Sequence, residues 1–129
     1  METNNVKAVH RFFDIKTPDY WHNHYQFDKL SKKADSQLGG LMKDILLINA
    51  VAPVLFAFGK YKGEERYCEK ARQLLESCKA ESNSIIKGWK DMGVKAVNAA
   101  DSQSLLQLKK EYCDKFRCLE CSIGHSILK

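Results

Sequence analysis

The sequence predicts an all-α fold: a single compact domain of five or six helices, residues 1–129, arranged around a proline-kinked central helix. Three observations carry this. Apolar residues recur at helical spacing along residues 64–79 and again along 84–92. The stretch 41–58 is apolar nearly all round, the mark of a helix surrounded by others. The 129 residues hold only two prolines and seven glycines, too few for a long flexible linker. A composition of 44% hydrophobic and 29% charged residues is that of a globular chain rather than a disordered one.

Residues 1–17 read as a peripheral segment built on Val9, Phe12 and Phe13. Pro18 suits the first turn of a helix with Thr17 as its cap, although the alternation from Tyr20 to Phe27 also fits a short strand. The polar stretch 29–40, ending in Gly39-Gly40, reads as a loop. The central helix follows. Its uncharged run, residues 45–59, is shorter than a membrane span and contains Asn49 and Pro53, so it is read as a buried core helix with no membrane role. Pro53 lacks a donor and crowds the carbonyl of Asn49, which predicts a kink there; the Asn49 side chain then serves freed backbone groups or makes a buried polar contact.

Residues 59–63 read as a turn between two glycines. The next segment, 64–79, is the cleanest amphipathic helix, with Tyr67, Ala71, Leu74, Leu75 and Cys78 on its apolar side. Cys68 lies ten positions before Cys78 and points well away from it, so the two do not share a ligand on that helix. A helix over 84–92 presents Ile85, Ile86, Trp89 and Met92, and ends at Gly93 with Val94 as the apolar residue beyond. Asp101 reads as the N-cap of a helix carrying Leu105, Leu108 and Tyr112.

The formal net charge of +5 favours acidic partners, nucleic acid among them, but the lysines are dispersed and the bland reading is a solvated surface. Glu2, Lys7, His10, Arg11 and Asp14 interrupt any secretory signal, so a cytoplasmic location with reduced cysteines is expected.

The C-terminal segment, residues 113–129, is the most informative. It reads Cys113-x4-Cys118-x2-Cys121-x3-His125. Soft thiolates brought together by close spacing are what zinc and iron–sulfur centres use. If residues 118–128 form one helix, Cys118, Cys121 and His125 share a face, while Leu119, Ile123 and Ile127 form an opposite stripe able to dock on the core. Zinc held by Cys113, Cys118, Cys121 and His125 is the first expectation and a three-thiolate iron–sulfur cluster the second. Inert packing thiols, without any cofactor, and thiol–disulfide chemistry stand beside them. Elsewhere, His22 and His24, with Asp19 and Asp28 nearby, form a candidate acid–base or metal site. No phosphate-binding glycine loop, HExxH or nucleophile elbow is present.

Several stretches together resemble a bacterial family of unknown function, DUF2851. They are Tyr20-Trp21 with His24-Tyr25, Ile48-Asn49 with Pro53 and Leu55-Phe56-Ala57, Gly59-Lys60-Tyr61, and the tail from Asp101-Ser102-Gln103 through Tyr112-Cys113, Arg117-Cys118-Leu119 and Cys121-Ser122-Ile123-Gly124. The resemblance is to the family's C-terminal part. It carries no activity over, but implies a companion N-terminal domain. The three cysteines fall within the family-like motif and His125 lies beyond it. The functional expectation is a non-catalytic helical domain that docks or binds through a metal-stabilised cysteine site, its acceptor a companion domain or nucleic acid. The alternative is an accessory part of a hydrolase or nuclease using His22 and His24.

Overall fold

A computed structural model describes residues 6–32 and 37–128. Helix α1 (Val6–His10) runs into a 3-10 turn (Arg11–Phe13), and a second 3-10 turn (Asp19–His22) leads to a small antiparallel hairpin of β1 (His24–Gln26) and β2 (Lys29–Leu30). The central rod comprises α2 (Gly40–Leu46), a π-helical turn (Leu47–Val51) and α3 (Ala52–Lys62). Then come α4 (Glu65–Ser77), α5 (Ser84–Asp91), and α6 (Ala99–Leu108) with a π-helical extension (Lys109–Cys113). A 3-10 turn (Cys118–Glu120) and α7 (Ser122–Ile127) close the described chain. The protein is mostly all-α, as its periodicity predicts.

Four local expectations are corrected. The helix foreseen after Pro18 is a single 3-10 turn, and the aromatic run beyond it takes the strand alternative. Within the loop foreseen over 29–40, Lys29–Leu30 pairs as a strand, while residues 33–36 lie outside the described residues. Gly59 is not in a turn: α3 continues through it and the chain reverses at Gly63 (φ 68°). The cap of α6 is Asn98, three residues earlier than Asp101. The Asn98 side chain accepts from Asp101 N at 3.0 Å, while the Asp101 carboxylate accepts from Val97 N at 2.9 Å. Asn98 satisfies an open donor of the first turn and Asp101 reaches back to the residue before the cap, so Asp101 supports the cap without being its first member.

Helix α5 and the irregularity at Pro53 lie where the sequence places them. At α5, Asn83 accepts from Ile86 N at 3.0 Å. Beyond its end, Gly93 N and Val94 N donate back to the carbonyls of Lys90 and Trp89, a Gly-terminated helix end. At Pro53 the missing donor is absorbed by a widened turn: Ala52 N donates to Leu47 O, five residues back. The Asn49 side chain is exposed and donates to Ile45 O at 3.0 Å, so it serves the backbone next to the irregularity.

The core is small. Leu47, Ile48, Ala52, Leu74, Cys78 and Ala99 are buried together, with Val6, Val9, Phe13, Val51 and Leu75 packed against them. Residues 6–17 are therefore less peripheral than expected, because Val6, Val9 and Phe13 pack against this cluster. His10 Nε2 also approaches Asp44 Oδ1 at 2.9 Å, without the alignment of a hydrogen bond. Helix α6 is pinned by the buried Ser102, whose hydroxyl donates to Ala99 O and accepts from Glu81 N, each at 3.1 Å. Helices α3 and α4 cross closely at Gly59: a Cβ there would lie 2.8 Å from Cys68 Sγ and 2.9 Å from Cys68 N.

The central rod is not the buried helix foreseen from its composition. Leu47, Ile48, Ala52 and Gly59 are buried, but Leu41, Val54 and Tyr61 are 77%, 68% and 84% exposed. Its neighbours, α1 and α4 chiefly, lie along one side. The rod passes a length-and-composition test for a membrane span. Its uncharged stretch between Asp44 and Lys60, however, runs only ~22 Å at 1.5 Å per residue, against roughly 30 Å of hydrocarbon.

Candidate functional site

Three places answer to the residues singled out above: the hairpin with its histidines, the C-terminal thiols, and the outer face of the rod.

The hairpin histidines are held by an aromatic cluster. Tyr20 and His24 rings stack at 4.0 Å between centroids, and His24 Nδ1 lies 2.8 Å from Tyr20 O. The Tyr20 hydroxyl accepts from the backbone N of Asp28 at 2.9 Å, fixing the tight turn in which Asp28 takes φ 57°. Trp21 and Phe27 meet edge to face at 5.0 Å. His22 lies 4.0 Å from the exposed Asp19 carboxylate. The geometry gives His24 a turn-building role, and the Asp28 backbone, rather than its carboxylate, joins that network.

In the tail, residues 118–128 are not one helix. Cys121 has extended backbone (φ −94°, ψ 126°) and separates the 3-10 turn from α7. The shared helical face of Cys118, Cys121 and His125 therefore does not form. Nor does the apolar stripe dock on the core, since Leu119, Ile123 and Ile127 are all exposed. The cause is local. Phe116 adopts φ 54° and reverses the chain, and α7 folds back over the 3-10 turn, where Gly124 sits against the Cys118 carbonyl. Arg117 braces this reversal: its backbone N donates to Tyr112 O at 2.9 Å, and its guanidinium lies over the Tyr112 ring and pairs with Glu120. That pairing holds the Glu120 carboxyl below the usual carboxylate range. Cys113 and Cys118 are exposed and Cys121 is half-buried. Among the described residues, no three of His, Cys, Asp and Glu converge in a group that could hold a metal ion.

The two helical cysteines differ from these. Cys68, expected to turn away from the core stripe, is buried all the same, against α3, with its thiol 3.6 Å from Phe56 O. Cys78 is buried in the core stripe, and burial, helped by the Asp44 carboxylate, pushes its thiol up to about 11. A thiol so raised is a weak nucleophile at neutral pH.

The third place was not found from sequence, because the apolar rod reads as core. The chain exposes 10229 Å², whereas a self-contained folded protein of 14.8 kDa exposes roughly 7,000 Å². Even allowing the ten undescribed residues all the surface of an extended chain, about 1,700 Å², the described part exceeds its expectation by about 2,000 Å². Part of the exposed apolar surface lies along the rod, at Leu41, Met42, Ile45, Val54 and Tyr61; the rest lies in the N-terminal segment, the hairpin and the tail. On the side facing α4 and α6 an open groove of about 1100 Å³ is floored by Ile48, Ala52, Ala71 and Leu75 and rimmed by Glu65, Arg72, Gln107 and Lys110.

Fold and surface together define a mostly all-α chain with a small core and an uncovered apolar rod. A family model described as protein of unknown function (DUF2851) matches residues 1–84, and the chain belongs to that family. The match takes in the hairpin, the rod and α4, and stops short of the cysteine tail, so the part of the resemblance carried by residues 101–124 lies outside it. Comparison with curated proteins and with solved structures gives no match.

Proposed function

We propose that this chain is a non-catalytic helical docking module, and that the outer face of the Gly40–Lys62 rod is the surface on which a companion polypeptide closes. The supporting observation is the uncovered apolar area. A specific interface removes about 800 Å² from each partner. The excess of about 2,000 Å², spread over the rod, the hairpin and the tail, leaves room for a surface of that size on the rod. The face suits a polypeptide partner: between Asp44 and Lys60 the rod carries no charge. A partner would desolvate no ion along that stretch, and the Lys62 ammonium, over the Tyr61 ring, marks its charged end.

The test replaces Leu41, Val54 and Tyr61 together by lysine. The unmodified chain, free of its partner, is expected to bind an apolar fluorescent dye in its native state and to self-associate with rising concentration by light scattering. The triple variant is expected to lose both while nearly keeping its melting temperature, because these side chains are largely exposed. A variant destabilised by several kcal/mol, as core truncations are, would place the residues in the core and overturn the reading. So would a wild-type chain that is monomeric and silent to the dye. Co-sedimentation with anionic lipid vesicles, abolished by the same substitutions, would replace the polypeptide partner with a lipid surface.

A further inference from the structure

We propose that Cys118 and Cys121 form a reversible dithiol–disulfide pair, built into the C-terminal turn, that exchanges with low-molecular-weight disulfides of the glutathione class. This stands apart from the docking surface and rests on different residues.

The turn sets the distance. Glu120 N donates to Arg117 O at 3.2 Å and Cys121 N to Cys118 O at 3.3 Å, two successive 3-10 turns. A hydrogen-bonded four-residue turn keeps its terminal Cα atoms within about 7 Å. A disulfide needs about 4.4–6.8 Å. The Cys121 N–Cys118 O bond closes one such turn, so the two cysteines stand at its two ends. The loop to be closed is short and already closed by backbone hydrogen bonds, so little chain entropy remains to be lost.

Gly124 holds the turn in place. An ideal Cβ on it would lie 2.4 Å from Cys118 O and 3.0 Å from Cys118 C, so α7 lies directly on the Cys118 peptide at a distance only glycine permits. Arg117, tied to Tyr112 and Glu120, braces the other side. Access is graded as exchange requires: Cys118 is exposed to attack and Cys121 is half-buried behind it, whereas Cys68 and Cys78 are sealed in the interior. Two thiols are too few for a closed zinc site, which needs four ligands.

The exchange balances as follows. The Cys118 thiol loses its proton, and the thiolate attacks one sulfur of the small disulfide. The S–S bond breaks and one small thiolate leaves. The Cys121 thiolate, its proton also lost, then attacks the Cys118 sulfur of the mixed disulfide and expels the second small thiolate. The two expelled thiolates take up two protons. The protein pair is oxidised, and the small disulfide is reduced to two thiols.

The experiment incubates the intact chain in glutathione buffers of graded disulfide content, traps with acid and alkylating agent, and digests with trypsin. Cleavage after Arg117 yields one peptide carrying both Cys118 and Cys121, while Cys113 leaves in the peptide ending at Lys115. The expected product is the peptide beginning at Cys118, lighter by two hydrogens and unalkylated, with Cys113 still alkylated. Cys113→Ser is expected to leave the midpoint unchanged. Gly124→Ala penalises the closed turn more than the open one, and is expected to demand a buffer about tenfold more oxidising. Persistent glutathione adducts without the internal bond, a link made through Cys113, unmodified thiols throughout, or a Gly124→Ala midpoint equal to wild type would each overturn the proposal.

Discussion

Two glycines in helix interiors separate propensity from packing. Gly59 in α3 and Gly88 in α5 both have ordinary helical backbone, so alanine at either gains the same ~1 kcal/mol of helix propensity. Their surroundings differ. A Cβ at Gly88 meets nothing within 4 Å, whereas at Gly59 it meets Cys68 Sγ at 2.8 Å, Cys68 N at 2.9 Å and Tyr67 Cβ at 3.0 Å. The second of these is backbone and cannot swing aside, so α3 and α4 must separate at their crossing. Overpacking of this kind costs typically ~1–3 kcal/mol. Gly88→Ala is therefore expected to stabilise by ~0.5–1 kcal/mol, and Gly59→Ala to fall ~1–3 kcal/mol below it, a gap that contains the contact term alone. Urea unfolding of both variants measures it. Adding Cys68→Ala to Gly59→Ala removes the Sγ contact and leaves the backbone one, so recovery should be partial and the two sites coupled. Equal effects at Gly59 and Gly88, within ~0.5 kcal/mol, would refute the close crossing of α3 and α4.

Three further outcomes follow from the same structure. Because Cys78 is held protonated to about 11, above an ordinary thiol, its contribution to stability is complete below pH ~9 and falls as pH rises toward ~11; Cys78→Ala should flatten that alkaline limb in pH-dependent unfolding. In native protein, a thiol reagent should titrate Cys113, Cys118 and Cys121 and reach Cys68 and Cys78 only on unfolding; rapid modification of all five would contradict the burial. Asn98→Ala removes the cap of α6 and should cost ~1 kcal/mol by urea unfolding, whereas Asn98→Ser should recover most of it.

What the sequence showed and what it hid divide along one physical line. Local signals were legible. Gly93 ends α5 by its own backbone, the spacing of Ala71, Leu74 and Cys78 sets the buried side of α4, and Pro53 announces an irregularity one turn before it. Signals that depend on what lies across a gap were not. Hydropathy describes a residue, not its neighbour, so the rod's uniform apolar character reads as burial although nothing among the described residues lies against one side. The same blindness applied to Gly59, where glycine means a close crossing rather than a turn. At the tail, the helical-face argument assumed a continuous helix through Cys121, but the contact of Gly124 with the Cys118 carbonyl requires the chain to break there and fold back.

The boundary of the family match sharpens what the rod needs. Residues 1–84 supply Leu47, Ile48, Ala52, Leu74 and Cys78 to the core cluster, but Ala99 comes from beyond the match. So does Ser102, which anchors α6 to Glu81 N. The family-matched region does not close its own small core. Helix α6 closes one side of it, held by the Asn98–Asp101 cap and the Cys78–Ala99 backbone bond, and the thiol turn hangs from the far end of the same helix. The rod's outer face receives no such helix from within the described chain. A chain that lays its own α4 along one side of an apolar rod, with α6 behind it, and among the described residues leaves the other side bare has the asymmetry of a half-assembled bundle. The docking surface and the redox turn then lie on separate elements, linked through α4, α6 and the π-helical extension, so oxidation of Cys118 and Cys121 should leave the rod's dye binding unchanged.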